Sequence, residues 1–187
     1  MIAVHARYRG REKGRAQLVK RSAEALSTLP GVGEFEIVGV EDIRAHVDSP
    51  DDALNLIMAL LSDGNWAIGL GITQRGSAAA SATEATGVKP AAVGVIVDTV
   101  DPADAGTAAP DIAAVFALIG HVLHKRTYEG REATALVRRG LTQNEAADRL
   151  GISKQAMSQR LQAAGWRAEQ AGVQLALNLI GRASLLP

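Results

Sequence analysis

Ile2, Val4, Ala6 and Tyr8 alternate with His5 and Arg7, a period of two that predicts a strand with one buried face over residues 2–8. Helical spacing follows from about Arg15, with Leu18, Val19, Ser22, Ala25, Leu26 and Leu29 apolar or small, and Pro30 with Gly31 closes it. Two short β-like runs, 34–40 and 43–47, flank Glu41 and Asp42, so a tight hairpin whose turn presents two carboxylates is expected. Ser49, Pro50, Asp51 and Asp52 form a strong helix start: a capping hydroxyl, a proline at the first position and acids facing the dipole. That helix continues over 53–61 and stops at 63–65. Large apolar residues over 66–72 alternate with Ala67, Gly69 and Gly71, a strand whose second face is nearly bare backbone. Something must approach that face closely, a packed helix more commonly than a ligand. After a loop with a short helix over 76–86, residues 92–97 read as a further buried strand, giving the order β, α, β, β, α, β, weak helix, β.

Residues 98–111 have the Pro, Gly, Ala and Asp content of a linker, and a domain boundary is placed there. Asp111 is expected to cap a helix over 112–124 that is apolar on most sides, buried between the domains or against a second subunit. A supporting helix is expected over 131–139. Thr142 with Glu145 three residues on is a capping box, so another helix begins at Gln143 and runs to Leu150. Gly151 ends it, and Ser153 caps the next helix, Lys154 to about Ala164. Beyond Trp166 a last helix to about Ala183 carries a broad apolar face from Val173 to Ile180, which reads first as a dimerisation surface contributing to a dimer, and nearly as well as a helix folded back on its own domain.

Composition adds bounds. A chain of 187 residues with 47% hydrophobic and 21% charged residues can bury a core without metal or disulfide staples. There is no cysteine, which excludes thiolate chemistry and fits a reducing cytosol. The longest apolar runs are too short for a bilayer, so a soluble cytoplasmic protein without membrane contact is expected. The formal net charge of zero hides segregation: residues 1–30 carry seven basic and two acidic groups, 31–124 three and thirteen, and 125–167 nine and four.

Only the last segment joins a positive balance to a helix-turn-helix pattern, in which Ala147, Leu150, Ile152, Met157 and Leu161 pack two helices on a third. With Met157 and Leu161 inward, Gln155, Ser158, Gln159 and Gln162 face outward, flanked by Lys154 and Arg160. Amides can pair with two atoms of a base edge, while Ser, Lys and Arg near helix starts reach phosphates. Thr142, Gln143 and Ser153 at the two helix starts complete the candidate set for double-stranded DNA. The bland reading of the same face is the solvated side of an ordinary helical hairpin.

Several stretches together resemble the SatD family of bacterial proteins over nearly the whole chain. They are the first strand, residues 35–39 (Phe-Glu-Ile-Val-Gly) with the acidic turn, 50–54 (Pro-Asp-Asp-Ala-Leu), 68–72 (Ile-Gly-Leu-Gly-Ile), and 140–143 with 150–153 and 159–161. The resemblance implies an N-terminal domain like the nucleotide cyclase palm, a ferredoxin-like βαββαβ sheet, which agrees with the element order. Such a palm, where active, holds metal ions on carboxylates of the first strand and hairpin. At the end of the first strand, where the pattern calls for Asp, this chain has Ala6, Arg7, Tyr8 and Arg9, and a basic side chain cannot ligate Mg²⁺. Glu41 and Asp42 are then read as solvated turn residues, with no metal and no cofactor. His5, His46, His121 and His124 lack metal-ligand spacing apart from the one-turn pair 121 and 124, read as polar positions on a buried helix. Gly31 and Gly33 belong to turns, and no Ser, His and Asp set declares a triad.

The expected protein is α+β: a ferredoxin-like, cyclase-palm-like sheet domain over 1–98, a linker and connecting helix over 99–125, and an all-α helix-turn-helix domain with a C-terminal helix over 126–187. Its expected function is transcriptional regulation by a DNA-binding homodimer whose sheet domain is non-catalytic and serves sensing, with a small-molecule effector the sequence does not specify, or assembly. The alternative is a nucleotide-binding or nucleotide-processing protein whose C-terminal helices dock to a protein partner.

Overall fold

In the computed structural model, which describes residues 1–100 and 102–186, β1 (Ile2–Tyr8) forms the middle of a five-stranded mixed sheet. β3 (Asp42–Val47) and β4 (Trp66–Thr73) pair antiparallel on either side of it. β2 (Glu36–Ile37) extends the β3 edge antiparallel, and β5 (Val93–Asp98) extends the β4 edge parallel, for the order β2-β3-β1-β4-β5. The protein is thus α+β. Asp101, within the stretch read as a linker, lies outside the described residues.

Register aligns the apolar sets. Val4 faces Ala45 and Leu70, and Ala6 faces Ile43 and Ile68, so one face of three strands is continuous with Tyr8, Trp66 and Ile72. That face is covered by α1 (Arg15–Leu26) through Val19 and Ala23, and by α2 (Pro50–Asp63) through Leu54, Ile57, Leu60 and Leu61. α2 starts as its sequence requires: the Ser49 hydroxyl accepts from the Asp52 amide at 3.2 Å, and Gly64 at φ 79° ends it.

The period of two predicts one buried face for β1, and the strand buries both. Ala3 and His5 on the second face are also buried, because α3 (Ala78–Ala85) lies across it. Gly69, Gly71, Gly94 and Ala3 leave room there for the α3 backbone to approach, and Ala78 and Ala82 complete the contact. The bare face of β4 is occupied by a helix.

The expected linker contains the single turn α4 (Pro102–Ala105), and α5 (Ala108–His124) starts earlier than its sequence suggests. Thr107 is its N-cap residue, and its hydroxyl donates to Asp111 at 2.6 Å, which places Asp111 inside the first turn rather than at the cap. α5 buries Ile112, Val115, Phe116, Ile119 and Leu123 over β5 and leaves Leu118 exposed. α6 (Tyr128–Arg138), α7 (Gln143–Leu150) and α8 (Lys154–Ala163) then close a second core on Ala133, Ala146, Ala147, Met157 and Leu161. α6 begins three residues ahead of its expected start because Thr127 caps it by accepting from the Gly130 amide at 3.2 Å.

α9 (Trp166–Ala183) belongs to both cores. Trp166 packs with the small helical core, whereas Ala176, Ile180 and Ala183 are buried with the sheet domain against α5 and α2. The apolar face that reads as either a dimer surface or a fold-back therefore folds back, and onto the sheet domain; Leu175 is the large apolar residue of α9 left exposed, at 49%. Its end is tied by the Gln74 amide, which donates to the Ser184 carbonyl at 2.7 Å.

The α3 contact generates a prediction. A methyl group at Gly71 would collide with the Ala78 carbonyl and the Ala82 amide, both rigid backbone, whereas one at Gly87 meets open space. Gly71→Ala should cost about 1–3 kcal/mol through overpacking, and Gly87→Ala should be near neutral. Urea midpoints compare them directly; equal midpoints would contradict the packing described.

Candidate functional site

The α7–α8 pair is set by local chemistry. Thr142 and Glu145 form a reciprocal capping box: the Thr142 amide donates to Glu145 Oε2 at 2.8 Å and the Glu145 amide to Thr142 Oγ1 at 3.3 Å. Gly151, at φ 64°, ends α7 in the left-handed region, and two residues later Ser153 Oγ accepts from the Ala156 amide at 3.1 Å to start α8. Ala146 and Ala147 are small enough for the helices to cross closely, and Met157 and Leu161 point into the crossing.

The opposite side of α8 is consequently open. Lys154, Gln155, Ser158, Gln159 and Gln162 are exposed, as are Thr142, Gln143 and Ser153. Arg160 departs from the set. It is half-buried on the α6 side, near Glu129, whose carboxylate is held below its usual range first by its own backbone amide, then by the Thr127 hydroxyl and also by Arg160. The hydroxyls of Thr142 and Ser153 accept at helix starts, so their first role is capping.

Gln143, Ser158 and Gln162 converge on a cleft of about 450 Å³, closed on its far side by Leu161, Gly165, Trp166, Arg167 and Ala168. Sequence reasoning missed Arg167, which the α8–α9 turn brings beside the amides. Gly165 makes that turn at φ 65°, and a glycine following a helix of this length is the signal that could have located it.

A buried ion network lies beneath this surface. The Glu169 carboxylate, 1% exposed, accepts from Arg126 Nη2 and, at 2.5 Å, from Arg138 Nη2. Arg126 Nε also donates to the Ala164 carbonyl at 2.8 Å, and the Arg138 guanidinium lies 5.7 Å from the Trp166 ring centre. Glu169 falls two residues beyond the basic segment 125–167. Counting it, nine basic groups face five acidic ones, and Arg126 is withdrawn from solvent.

The first strand holds a second polar cluster. Asp42, expected in a solvated turn, is the first residue of β3, and its Oδ1 accepts from His5 Nε2 at 2.9 Å and Arg7 Nε at 2.7 Å. Glu41 is also engaged, by Arg9 at 3.5 Å and Arg15 at 2.5 Å. Burial pushes Asp42 up, but the hydrogen bonds from His5 and Arg7 together with the Arg7 charge outweigh it and hold the carboxyl below its usual range. For His5, burial dominates over the Asp42 interactions and lowers the pKa, so the ring is neutral. A carboxylate only accepts, so Nε2 carries the proton, while Nδ1 lies 3.0 Å from the Thr83 hydroxyl, whose own proton goes to the Ala79 carbonyl at 2.9 Å.

These residues do not fit a Mg²⁺ ion. Asp42 Oδ1 already accepts from Arg7 Nε and His5 Nε2, the Arg7 guanidinium puts a positive charge beside that carboxylate, and no group of three or more His, Asp or Glu converges among the described residues. Among the same residues no helix is long and apolar enough to cross a membrane. Comparison with models of protein families, with curated proteins and with solved structures found no match.

The buried histidine makes stability depend on pH. Unfolded His5 takes up a proton near its ordinary value of 6.5, whereas the folded ring, with its lowered pKa, resists protonation. The unfolded state therefore binds more protons as pH falls through 6.5, and the His5 contribution is present above that pH and lost below it. Urea midpoints should fall between pH 7.5 and 5.5, and the fall should be shallower in His5→Asn. An unchanged slope in that variant would remove His5 as the cause.

Proposed function

We propose that this chain is a sequence-specific double-stranded DNA-binding protein, a bacterial transcriptional regulator acting in the cytoplasm as a homodimer. In this reading α7 and α8 are a helix-turn-helix with α8 as the recognition helix. The observation that carries it is the outward face of α8, where Gln155, Ser158, Gln159 and Gln162 stand exposed beside Lys154 on a helix whose other side is locked by Met157 and Leu161. A stiff rod with amides on one side suits a major groove, because amides can satisfy two base-edge atoms at once.

The sheet domain is read as a degenerate, non-catalytic cyclase-palm-like module of the SatD family, used for sensing or assembly. The order β1-α1-β2-β3-α2-β4, with β2-β3-β1-β4 all antiparallel neighbours, supports a ferredoxin-like assignment, to which α3 and β5 are additions. Pairing of Asp42 with Arg7 supports the loss of catalysis. No Mg²⁺- or Mn²⁺-dependent turnover of ATP or GTP is expected. Product formation that disappears in folded Glu41→Ala or Asp42→Ala would overturn this part.

The recognition helix is tested by separating specificity from affinity. Gln155→Ala with Gln159→Ala should preserve folding and flatten preference between a selected site and a scrambled one, by about 1–3 kcal/mol for each amide that pairs with a base edge. Lys154→Ala should weaken binding to both alike and reduce the salt slope by roughly one. A homodimer would place two α8 helices on half-sites about 34 Å apart, so sedimentation of the complex should give two chains per selected site. If neither substitution alters binding by a folded protein, the helical pair docks a protein partner instead, and one chain per site would remove the homodimer.

A further inference from the structure

We infer that the sheet domain carries a second contact for the DNA backbone, formed by residues 9–14 and the exposed side of α1, on the same end of the molecule as α8. The inference rests on the DNA-binding reading above and extends its footprint.

Charge is the first observation. Arg9, Arg11, Lys13, Arg15, Lys20 and Arg21 are all exposed within thirteen residues that hold one acid, Glu12. Glu12 is engaged by the Tyr8 hydroxyl, and Arg9 and Arg15 are held by Glu41. Arg11, Lys13, Lys20 and Arg21 form no ion pair among the described residues. Cations that only keep a surface hydrated are ordinarily mixed with acids. Here most acids are segregated into residues 31–124, with thirteen against three basic groups, and over α1 the single exposed acid, Glu24, is outnumbered by Arg15, Lys20 and Arg21.

Shape is the second. Lys13, Gln17, Arg21 and Ser22 line an open groove of about 640 Å³, presenting four hydrogen-bond donors, with Glu12 its one carboxylate. Donors of this kind on an open surface fit phosphate and sugar oxygens, and they carry no base code.

Placement is the third. β1 ends at Tyr8 opposite Trp66, and the Arg9 amide donates to the Asn65 carbonyl, so the 9–14 loop leaves the Tyr8–Trp66 end of the sheet. Ala91 pairs with Trp66 at that same end, Gly120 of α5 lies against Ala91, and Gly165 at the head of α9 lies against Val122. The three-helix unit therefore projects from the end that carries the basic loop. α1 contacts β3 and α5 contacts β5, three strand spacings apart or about 15 Å, well inside one helical turn of DNA. In the proposed footprint the duplex runs from α8 across this end of the sheet domain to α1.

Lys13 and Arg21 are exposed, so Lys13→Ala with Arg21→Ala should leave circular dichroism and the urea midpoint unchanged. On the selected duplex the full-length double variant should lose affinity on the order of tenfold near 0.1 M salt, reduce the salt slope by about two, and keep its sequence preference. Phosphate-ethylation interference should show two groups of phosphates with the wild-type chain, the outer group absent in the double variant and retained in Lys13→Arg with Arg21→Lys. An unchanged slope or an unchanged interference pattern would overturn the second contact. If the slope falls while Gln155→Ala with Gln159→Ala leaves preference intact, the recognition-helix reading fails and the basic contact stands.

Discussion

The Glu169 carboxylate joins the two cores. It sits in α9 and receives one guanidinium from the segment between α5 and α6 and another from the end of α6, so three parts of the chain meet at one buried anion. A buried pair of this kind adds little over apolar packing, but removing one partner is expensive, about 3–5 kcal/mol, because a guanidinium is left desolvated. Arg126 is the partner most affected, being itself buried and spending a further donor on the carboxyl end of α8. The arrangement thus specifies geometry: α9 can leave the helical core in one direction only. That direction carries Ala176, Ile180 and Ala183 onto the sheet domain, so the helical unit is not hung on a flexible tether.

The sheet's second face obeys a different constraint, close approach. α3 can reach the backbone of β4 and β5 only because glycines stand there, and the polar residues on the β1 and β3 side fasten it laterally. His5 and Arg44 both meet the Thr83 hydroxyl, with Arg44 Nη1 at 2.9 Å, and Arg44 reaches on to Glu36 at 2.6 Å. Arg44 Nε is buried without a partner, a cost accepted where one guanidinium serves a helix and an edge strand together. Small residues let the helix approach, and this cluster sets where along the strands it stops.

Features written in local chemistry were legible in the sequence. α2, α7 and α8 start at Ser49, Thr142 and Ser153, where a hydroxyl a few residues ahead of an apolar period has one good use. Thr127 caps α6 in the same way, and Thr107 holds the first turn of α5 through Asp111, yet neither start is evident from the sequence. Pro110 and Gly130 follow them, and both residues look like helix breakers although the first turn tolerates a missing amide donor. The hairpin is shorter than its composition suggests: Ile37, Val38 and Val40 have strand character, but pairing stops at Ile37 and all three are exposed. Asp42 and Glu169 were illegible for another reason. Their partners lie 35 and 37 residues away for one and 31 and 43 for the other, and no periodicity spans such distances.

Arg7 changes what the sheet end can be. A carboxylate at the start of β3 flanked by other acids would repel them and draw a divalent cation, an exchangeable partner whose loss leaves the site charged. A guanidinium on the neighbouring strand, in register with Asp42, supplies the positive charge permanently and with no binding equilibrium. Arg9 and Arg15 repeat the arrangement at Glu41, so both hairpin acids are neutralised from β1 and its following loop and from the start of α1. The cations beyond these pairs, Arg11, Lys13 and Arg21, then have no acid left in the hairpin to meet, which is why the field over α1 points outward rather than being spent inside the fold.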